Sequence, residues 1–121
     1  MRNQLISKVT IYPDDRDPNI NISYPLKEGE NIIGSSFECD IRLSYPSIAE
    51  MHAKIMLTNG KFTIEDLGSS LGTYRMSSDN PRQKLKAGRE YELEVNMPFY
   101  LANKYKCIIE TWEKGINKFS N

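Results

Sequence analysis

The chain has 121 residues, which is the size of one domain and enough to bury roughly two thirds of the surface that the unfolded chain exposes. Its 16 basic and 16 acidic residues cancel, so it lacks the positive charge that non-specific binding to nucleic acid or to an anionic membrane needs. The longest apolar runs are far shorter than the roughly 20 residues of a membrane span, and the polar N-terminus with Lys8 does not resemble a secretory signal. We therefore expect an intracellular domain with no direct nucleic-acid or membrane partner.

Apolar and polar residues alternate with a period of two through much of the chain, which predicts β-strands with one buried face. In the first part of the chain, strands are predicted at residues 5–12, 20–26, 31–34 and 39–43. Pro25 cannot donate a hydrogen bond to a neighbouring strand, so the second strand is expected at a sheet edge. In the fourth strand, Cys39, Ile41 and Leu43 share one face and are expected to be buried.

The clearest local feature is Asn59-Gly60 between two apolar runs, which is typical of a tight β-hairpin because both residues readily adopt a positive φ. The two strands of this hairpin are predicted at residues 51–57 and 61–66. Further strands are predicted at residues 73–76, 84–85, 91–95, 99–102 and 105–112. Short strands separated by Gly, Asn, Ser and Pro clusters predict an all-β fold, an eleven-stranded β-sandwich.

The domain is expected to span residues 1–112, with residues 113–121 as a C-terminal tail or the start of a linker. Residues 77–83 contain Pro81 and few apolar side chains, which indicates an exposed loop. Because the sequence has no internal repeat and no low-complexity tract, function is expected in the loops that the sandwich displays.

No arrangement of residues in the sequence indicates catalysis, a cofactor or a metal. His52 is the only histidine, and its place at the start of a strand favours a structural role. Cys39 and Cys107 are too far apart for a zinc or redox motif and are expected to be buried thiols. The acidic loop 13–19 lacks the glycine and the terminal carboxylate of a calcium loop. Residues 68–73 lack the lysine and the following helix of a phosphate-binding loop.

Three segments, taken together and in order, resemble the forkhead-associated (FHA) family: residues 31–34, residues 47–53 and residues 67–73. The usual pattern of that family is Gly-Arg, then Ser-x-x-His, then Gly-Ser-x-Asn-Gly-Thr, in loops at one end of the sandwich. The resemblance covers residues 5–112. It implies that the arginine and the serine hold the phosphate of a phosphothreonine and that the asparagine holds the peptide backbone.

The loop-shaping positions of the FHA pattern are retained, whereas the three positions that grip the ligand are not. The retained positions are Gly34, His52, Gly68, Ser69, Gly72 and Thr73. Ser35 stands where the family has arginine, Ala49 where it has the phosphate-binding serine, and Leu71 where it has asparagine. Losing three such contacts removes on the order of 4–8 kcal/mol of binding free energy, so we expect phosphothreonine binding to be lost. The alternative is a phosphothreonine-peptide reader with a rearranged site, in which Arg42 or Arg75 supplies the cation.

Residues 45–48, followed by residues 52–55, are similar to the N-terminal FHA modules of mediator of DNA damage checkpoint proteins. This resemblance implies a nuclear protein-interaction module of a DNA-damage-response scaffold, with other proteins of that response as partners. It also implies homodimerisation. Strands with apolar residues on both faces supply the candidates for a dimer surface, namely Ile6, Tyr12, Phe99 and Tyr100. A third interpretation is a folded spacer with no partner of its own.

Overall fold

The computed structural model describes residues 4–77, 79 and 81–114. It is an all-β sandwich of eleven strands in two sheets, which confirms the predicted fold class. The strands are β1 (Gln4–Tyr12), β2 (Ile22–Leu26), β3 (Gly29–Gly34), β4 (Ile41–Arg42), β5 (Ala53–Thr58), β6 (Lys61–Asp66), β7 (Thr73–Arg75), β8 (Gln83–Lys84), β9 (Glu90–Leu93), β10 (Phe99–Leu101) and β11 (Tyr105–Lys114). Within the described ranges no helix is long and apolar enough to cross a membrane.

One sheet has six strands in the order β2-β1-β11-β10-β7-β8, and the other has five in the order β4-β3-β5-β6-β9. All neighbouring strands are antiparallel except β3 and β4, which are parallel. β2 is the outermost strand of its sheet, so the edge position predicted from Pro25 is confirmed. In the same sheet, β1 pairs with β11, and this long-range pairing joins the two ends of the described chain.

The core lies between the inner faces of the two sheets, and the period of two decides which residues enter it. Val9 pairs with Ile109 in the larger sheet, and Ile55 pairs with Ile64 in the smaller one. All four side chains are at most 1% exposed. Removing methyl groups from side chains buried this completely typically costs about 1–5 kcal/mol, so these positions hold the sheets together.

The predicted hairpin between β5 and β6 is confirmed, with φ of 51° at Asn59 and 81° at Gly60. The fourth strand was predicted at residues 39–43 but is shorter in the structure, Ile41–Arg42. Ile41 and Leu43 are buried as expected, but Cys39 is only partly buried because β4 begins after it, at Ile41. Cys107 is fully buried in β11, and burial raises the pKa of its thiol.

The C-terminal strand continues beyond the predicted domain boundary. β11 runs to Lys114, so residues 113 and 114 of the predicted tail belong to a strand that pairs with β1. The rest of the tail lies outside the described residues, and the boundary itself stays a prediction.

Candidate functional site

His52 joins the three loops at one end of the sandwich. The β3–β4 loop contacts the β4–β5 loop where the backbone N–H of Ser35 donates to the carbonyl of Ala49 at 3.0 Å. The N–H of Ala49 donates to Nδ1 of His52 at 3.1 Å, and Nε2 of His52 lies 2.9 Å from the carbonyl of Gly72 in the β6–β7 loop. Because Nδ1 accepts, Nε2 carries the proton and donates. Burial lowers the pKa of His52 despite the hydrogen bond to Gly72, so this buried ring is neutral at pH 7.

Asp66, at the end of β6, holds the β6–β7 loop and was not identified from the sequence. Its Oδ2 accepts from the backbone N–H groups of Gly68 (3.0 Å) and Ser69 (3.1 Å). Its Oδ1 accepts from the hydroxyls of Ser69 (2.5 Å) and Thr73 (2.7 Å). Burial would raise the pKa of Asp66, but these hydrogen bonds outweigh it and hold the pKa below its ordinary value. The available signal was an aspartate two residues before Gly68, a spacing typical of an Asx turn.

Two of the retained glycines are required by the shape of the loops. A Cβ at Gly34 would lie 2.0 Å from the carbonyl oxygen of Glu50, so no larger residue fits there. Gly72 has a φ of 85°, in the left-handed region that favours glycine, and its carbonyl also accepts from the N–H of Ala102 at 2.8 Å. Gly72 thus ties the β6–β7 loop to both His52 and the β10–β11 turn.

The positions that replace the phosphate-gripping residues lie at an uncharged cavity. This cavity of about 200 Å³ is lined by Ser47, Ile48, Ala49, Ser70 and Leu71. Leu71 is 49% exposed, so it presents an apolar surface where the family pattern has an asparagine. The structure therefore brings Ala49 and Leu71 to one cavity, and the backbone bond to Ala49 places Ser35 beside it.

The two arginines considered as replacements are held away from this cavity. Arg42 donates from Nε to the carbonyl of Ser35 at 3.0 Å, and its guanidinium lies 4.0 Å from the centre of the Phe37 ring. Arg75 donates to the side chain of Gln83 at 2.8 Å and to the carbonyl of Glu92 at 2.7 Å. Neither arginine lines the cavity. Among the described residues, no group of three or more His, Cys, Asp or Glu is placed to hold a metal ion.

The family model of the FHA domain matches residues 31–101, which contain all three loops. The chain belongs to the FHA domain family. FHA domains are non-catalytic protein-interaction modules, and binding in the family depends on phosphothreonine. A solved structure from a structural and functional analysis of phosphothreonine-dependent FHA domain interactions is similar to this domain, with a TM-score of 0.63 and 25% identity. The match covers 85% of this chain and 95% of that one.

Curated relatives match parts of this chain but differ in what the whole protein is. The chloroplastic zeaxanthin epoxidase of Spinacia oleracea is 40% identical over 72 residues, which is 55% of this chain and 10% of that protein. Mediator of DNA damage checkpoint protein 1 of Rattus norvegicus is 38% identical over 52 residues, which is 41% of this chain and 4% of that protein. The chain spans a tenth or less of these relatives. The predicted likeness to the checkpoint protein is only partial and weak: it covers 41% of this chain, and the epoxidase matches over a longer segment.

The outer face of the six-stranded sheet of this FHA domain holds three of the four residues predicted for a dimer surface. Phe99 is the exception and that prediction is wrong: it pairs with Cys107 on the inner face and is 0% exposed. Ile6, Tyr12 and Tyr100 are partly buried on the outer face. A guanidinium or an ammonium lies over each tyrosine ring, from Arg82 at Tyr100 (3.6 Å) and from Lys106 at Tyr12 (5.0 Å).

Proposed function

We propose that this FHA domain acts mainly by homodimerisation and that its loop end has lost phosphothreonine binding. The observation that carries the second part is the cavity at Ala49 and Leu71, which has no charged side chain in its lining. A phosphate dianion leaves water only for fixed cations and hydrogen-bond donors, because its desolvation is otherwise unfavourable.

Recruiting Arg42 to the cavity would not restore the site. The guanidinium would have to give up its bond to the carbonyl of Ser35 and its place on the Phe37 ring. These two contacts together contribute about 1–3 kcal/mol, which would be subtracted from any gain with the phosphate. The missing serine and asparagine contacts at Ala49 and Leu71 would remain missing.

We place the proposed dimer contact on the outer face of the six-stranded sheet, at the end farthest from the three loops. Ile6 and Trp112 pair there across β1 and β11, and Trp112 is 40% exposed. Lys8 and Glu110 pair at the next outward position, with 3.7 Å between Nζ and Oε1. An interface with two-fold symmetry must be complementary to itself. This patch meets that condition, because apolar surface can face apolar surface while Lys8 of one copy faces Glu110 of the other.

We further propose that the domain serves a nuclear scaffold of the DNA damage response and works with other proteins of that response. Support comes from the 38% identity with the rat checkpoint mediator over 52 residues. Imaging of the full-length protein before and after DNA damage tests this context. Exclusion from the nucleus in both conditions would contradict it.

Sedimentation velocity of the purified domain across micromolar concentrations tests self-association. We expect Trp112→Glu to weaken the dimer, and Val95→Glu to leave it unchanged because Val95 is equally exposed, at 40%, but lies outside the six-stranded sheet. Lys8→Glu should also weaken it, and adding Glu110→Lys should restore it by swapping the charges. A particle that stays monomeric at the highest concentration would contradict homodimerisation.

Titration with phosphothreonine peptides tests the loss of the loop site. We expect no saturable binding at the loops of the natural chain. The combined changes Ser35→Arg, Ala49→Ser and Leu71→Asn should create phosphate-dependent binding at the loops, with amide shifts centred on residues 49 and 71. Low-micromolar binding by the natural chain, with amide shifts centred on Ala49 and Leu71, would refute the loss of this site.

A further inference from the structure

A second, larger cavity lies on the flank of the loop end. It has a volume of about 710 Å³ and is formed by the β1–β2 loop, Arg82 between β7 and β8, the β10–β11 turn and the outer face of β10 and β11. Its charged lining consists of the cations Arg16, Arg82, Lys104 and Lys106 and the carboxylates Asp14 and Asp15. This cavity shares no lining residue with the uncharged cavity at Ala49 and Leu71. It is therefore a separate site.

The lining of this cavity, which we call the flank pocket, is positive although the whole chain is neutral. Four cations face two carboxylates, an excess of two positive charges. Asp14 is already engaged, because its Oδ1 lies 3.1 Å from Nε of Arg16, and this contact lowers the pKa of the carboxyl group. Lys104 and Lys106 form no salt bridge with any residue in the described part of the chain. A concave site with an excess of one sign concentrates ions of the other sign.

Two of the positive groups, Arg82 and Lys106, contact aromatic rings before any ligand arrives. The guanidinium of Arg82 lies 3.6 Å from the centre of the Tyr100 ring and donates to Oδ1 of Asn103. Tyr100 and Lys106 pair directly across β10 and β11, so the floor of the flank pocket is regular sheet. Pre-positioned cations on a rigid floor lose little conformational entropy on binding an anion.

We propose that the flank pocket binds the phosphate group of a phosphorylated protein segment. Arginine and lysine side chains around a rigid concave floor match the charge and size of a phosphate monoester. A nucleic acid backbone would need a long basic stripe, whereas Asp14 and Asp15 interrupt the positive lining of the pocket.

The position of the flank pocket also favours a protein segment. The N–H of Ala102 donates to the carbonyl of Gly72 at 2.8 Å, so the turn that carries Lys104 is bound to the β6–β7 loop. A segment lying across the loop end can thus place a phosphate in the flank pocket. Phosphate binding in the flank pocket does not require homodimerisation. It would occur away from the loop positions that bind the phosphate in the family pattern.

The test is a titration of the complete chain with inorganic phosphate and with O-phospho-L-threonine, followed by backbone amide chemical shifts. We expect saturating shifts at Tyr100, Lys104 and Lys106. Lys106→Gln should weaken binding about tenfold, which corresponds to the loss of about 1.4 kcal/mol from one contact to a charged group, and Lys104→Gln should act in the same direction. The matched control is Lys61→Gln, an exposed lysine outside the pocket, which should not change binding.

Each other outcome of this titration counts against the proposal. Shifts centred on Ala49 and Leu71 would place phosphate in the loop cavity and would refute the proposed loss of that site, leaving the dimer measurements unaffected. Equal weakening by Lys61→Gln would show non-specific charge attraction. If a phosphothreonine peptide and a duplex oligonucleotide are titrated in the same way, tighter binding of the oligonucleotide, with the same dependence on Lys106, would assign the pocket to nucleic acid. Urea unfolding of each variant confirms that it is folded.

Discussion

Replacing Asp66 tests most directly what holds the β6–β7 loop, because four donors converge on one buried carboxylate. Asp66 is 3% exposed, and Oδ2 is the acceptor for the backbone N–H groups of Gly68 and Ser69. The other oxygen accepts from the hydroxyls of Ser69 and Thr73. Two variants, Asp66→Ala and Asp66→Asn, remove different parts of this arrangement.

The expected loss in the free energy of unfolding depends, for each variant, on which hydrogen-bond donors can find a new acceptor. In Asp66→Ala, the partly buried N–H of Ser69 and the buried hydroxyl of Thr73 lose their acceptor at about 1–3 kcal/mol each, whereas water can replace it at the exposed Gly68. The free energy of unfolding should therefore fall by about 2–6 kcal/mol. In Asp66→Asn, the amide oxygen can still accept from the two backbone N–H groups, and the hydroxyls of Ser69 and Thr73 can rotate to accept from the amide nitrogen. Only the charge assistance is lost, which amounts to about 1–2 kcal/mol.

Equilibrium unfolding in urea measures both losses against the natural chain. Asp15→Ala is the control, since this carboxylate is exposed and should change stability by less than about 0.5 kcal/mol. The carboxylate of Asp66 stabilises the fold above its unfolded pKa of about 3.9, and this contribution is lost as the pH falls through the lower folded value. Equal losses in the alanine and asparagine variants, or an unchanged acid unfolding profile in both, would refute the assignment.

Three further changes probe the same end of the sandwich. Gly34→Ala places a Cβ 2.0 Å from the carbonyl oxygen of Glu50, so the free energy of unfolding in urea should fall by about 1–3 kcal/mol, and an unchanged value would contradict the close approach. Tyr105→Phe removes the 2.7 Å hydrogen bond to the carbonyl of Pro46, which should cost about 1 kcal/mol in thermal unfolding and is disproved by an unaltered melting temperature. Because burial lowers the pKa of His52, the neutral ring stabilises the fold above its unfolded pKa of about 6.5, and the stability is lost as the pH falls through the folded value. The free energy of unfolding of His52→Gln, measured from pH 7 downward, should lack this pH-dependent loss of stability. A pH profile identical to that of the natural chain would contradict the role of the neutral ring.

Local chemistry was enough to predict the strands and the hairpin. The alternation with period two identifies a buried face because successive side chains of a strand point to opposite sides. Asn59-Gly60 predicts the hairpin because its positive φ values are accessible to few other residue pairs. Pro25 predicts the edge of the sheet because it lacks an N–H group. Each of these properties belongs to one residue or to close neighbours, so it can be read without knowing the partner strand.

Assignments that depend on distant residues required the folded chain. Phe99 and Tyr100 are both aromatic neighbours in one strand, and only the pairing of β10 with β11 shows that Phe99 enters the core. The role of Asp66 depends on Thr73, whose hydroxyl reaches the carboxylate only after the β6–β7 loop has closed. Burial and pairing are properties of pairs of segments, and a single segment does not specify them.

The flank pocket is the clearest example of a feature that depends on distant residues. Arg16, Arg82 and Lys106 come from three distant parts of a chain whose charges sum to zero, so nothing in the composition indicates a positive site. The pairings of β1 with β11, β11 with β10, β10 with β7 and β7 with β8 bring them together. Residue types and their local spacing were therefore sufficient to predict the strands and to show that Ser35, Ala49 and Leu71 replace the ligand-binding residues of the family pattern. The position of charges in space was decided by long-range strand pairing, because electrostatic potential depends on distances between groups and not on their order along the chain.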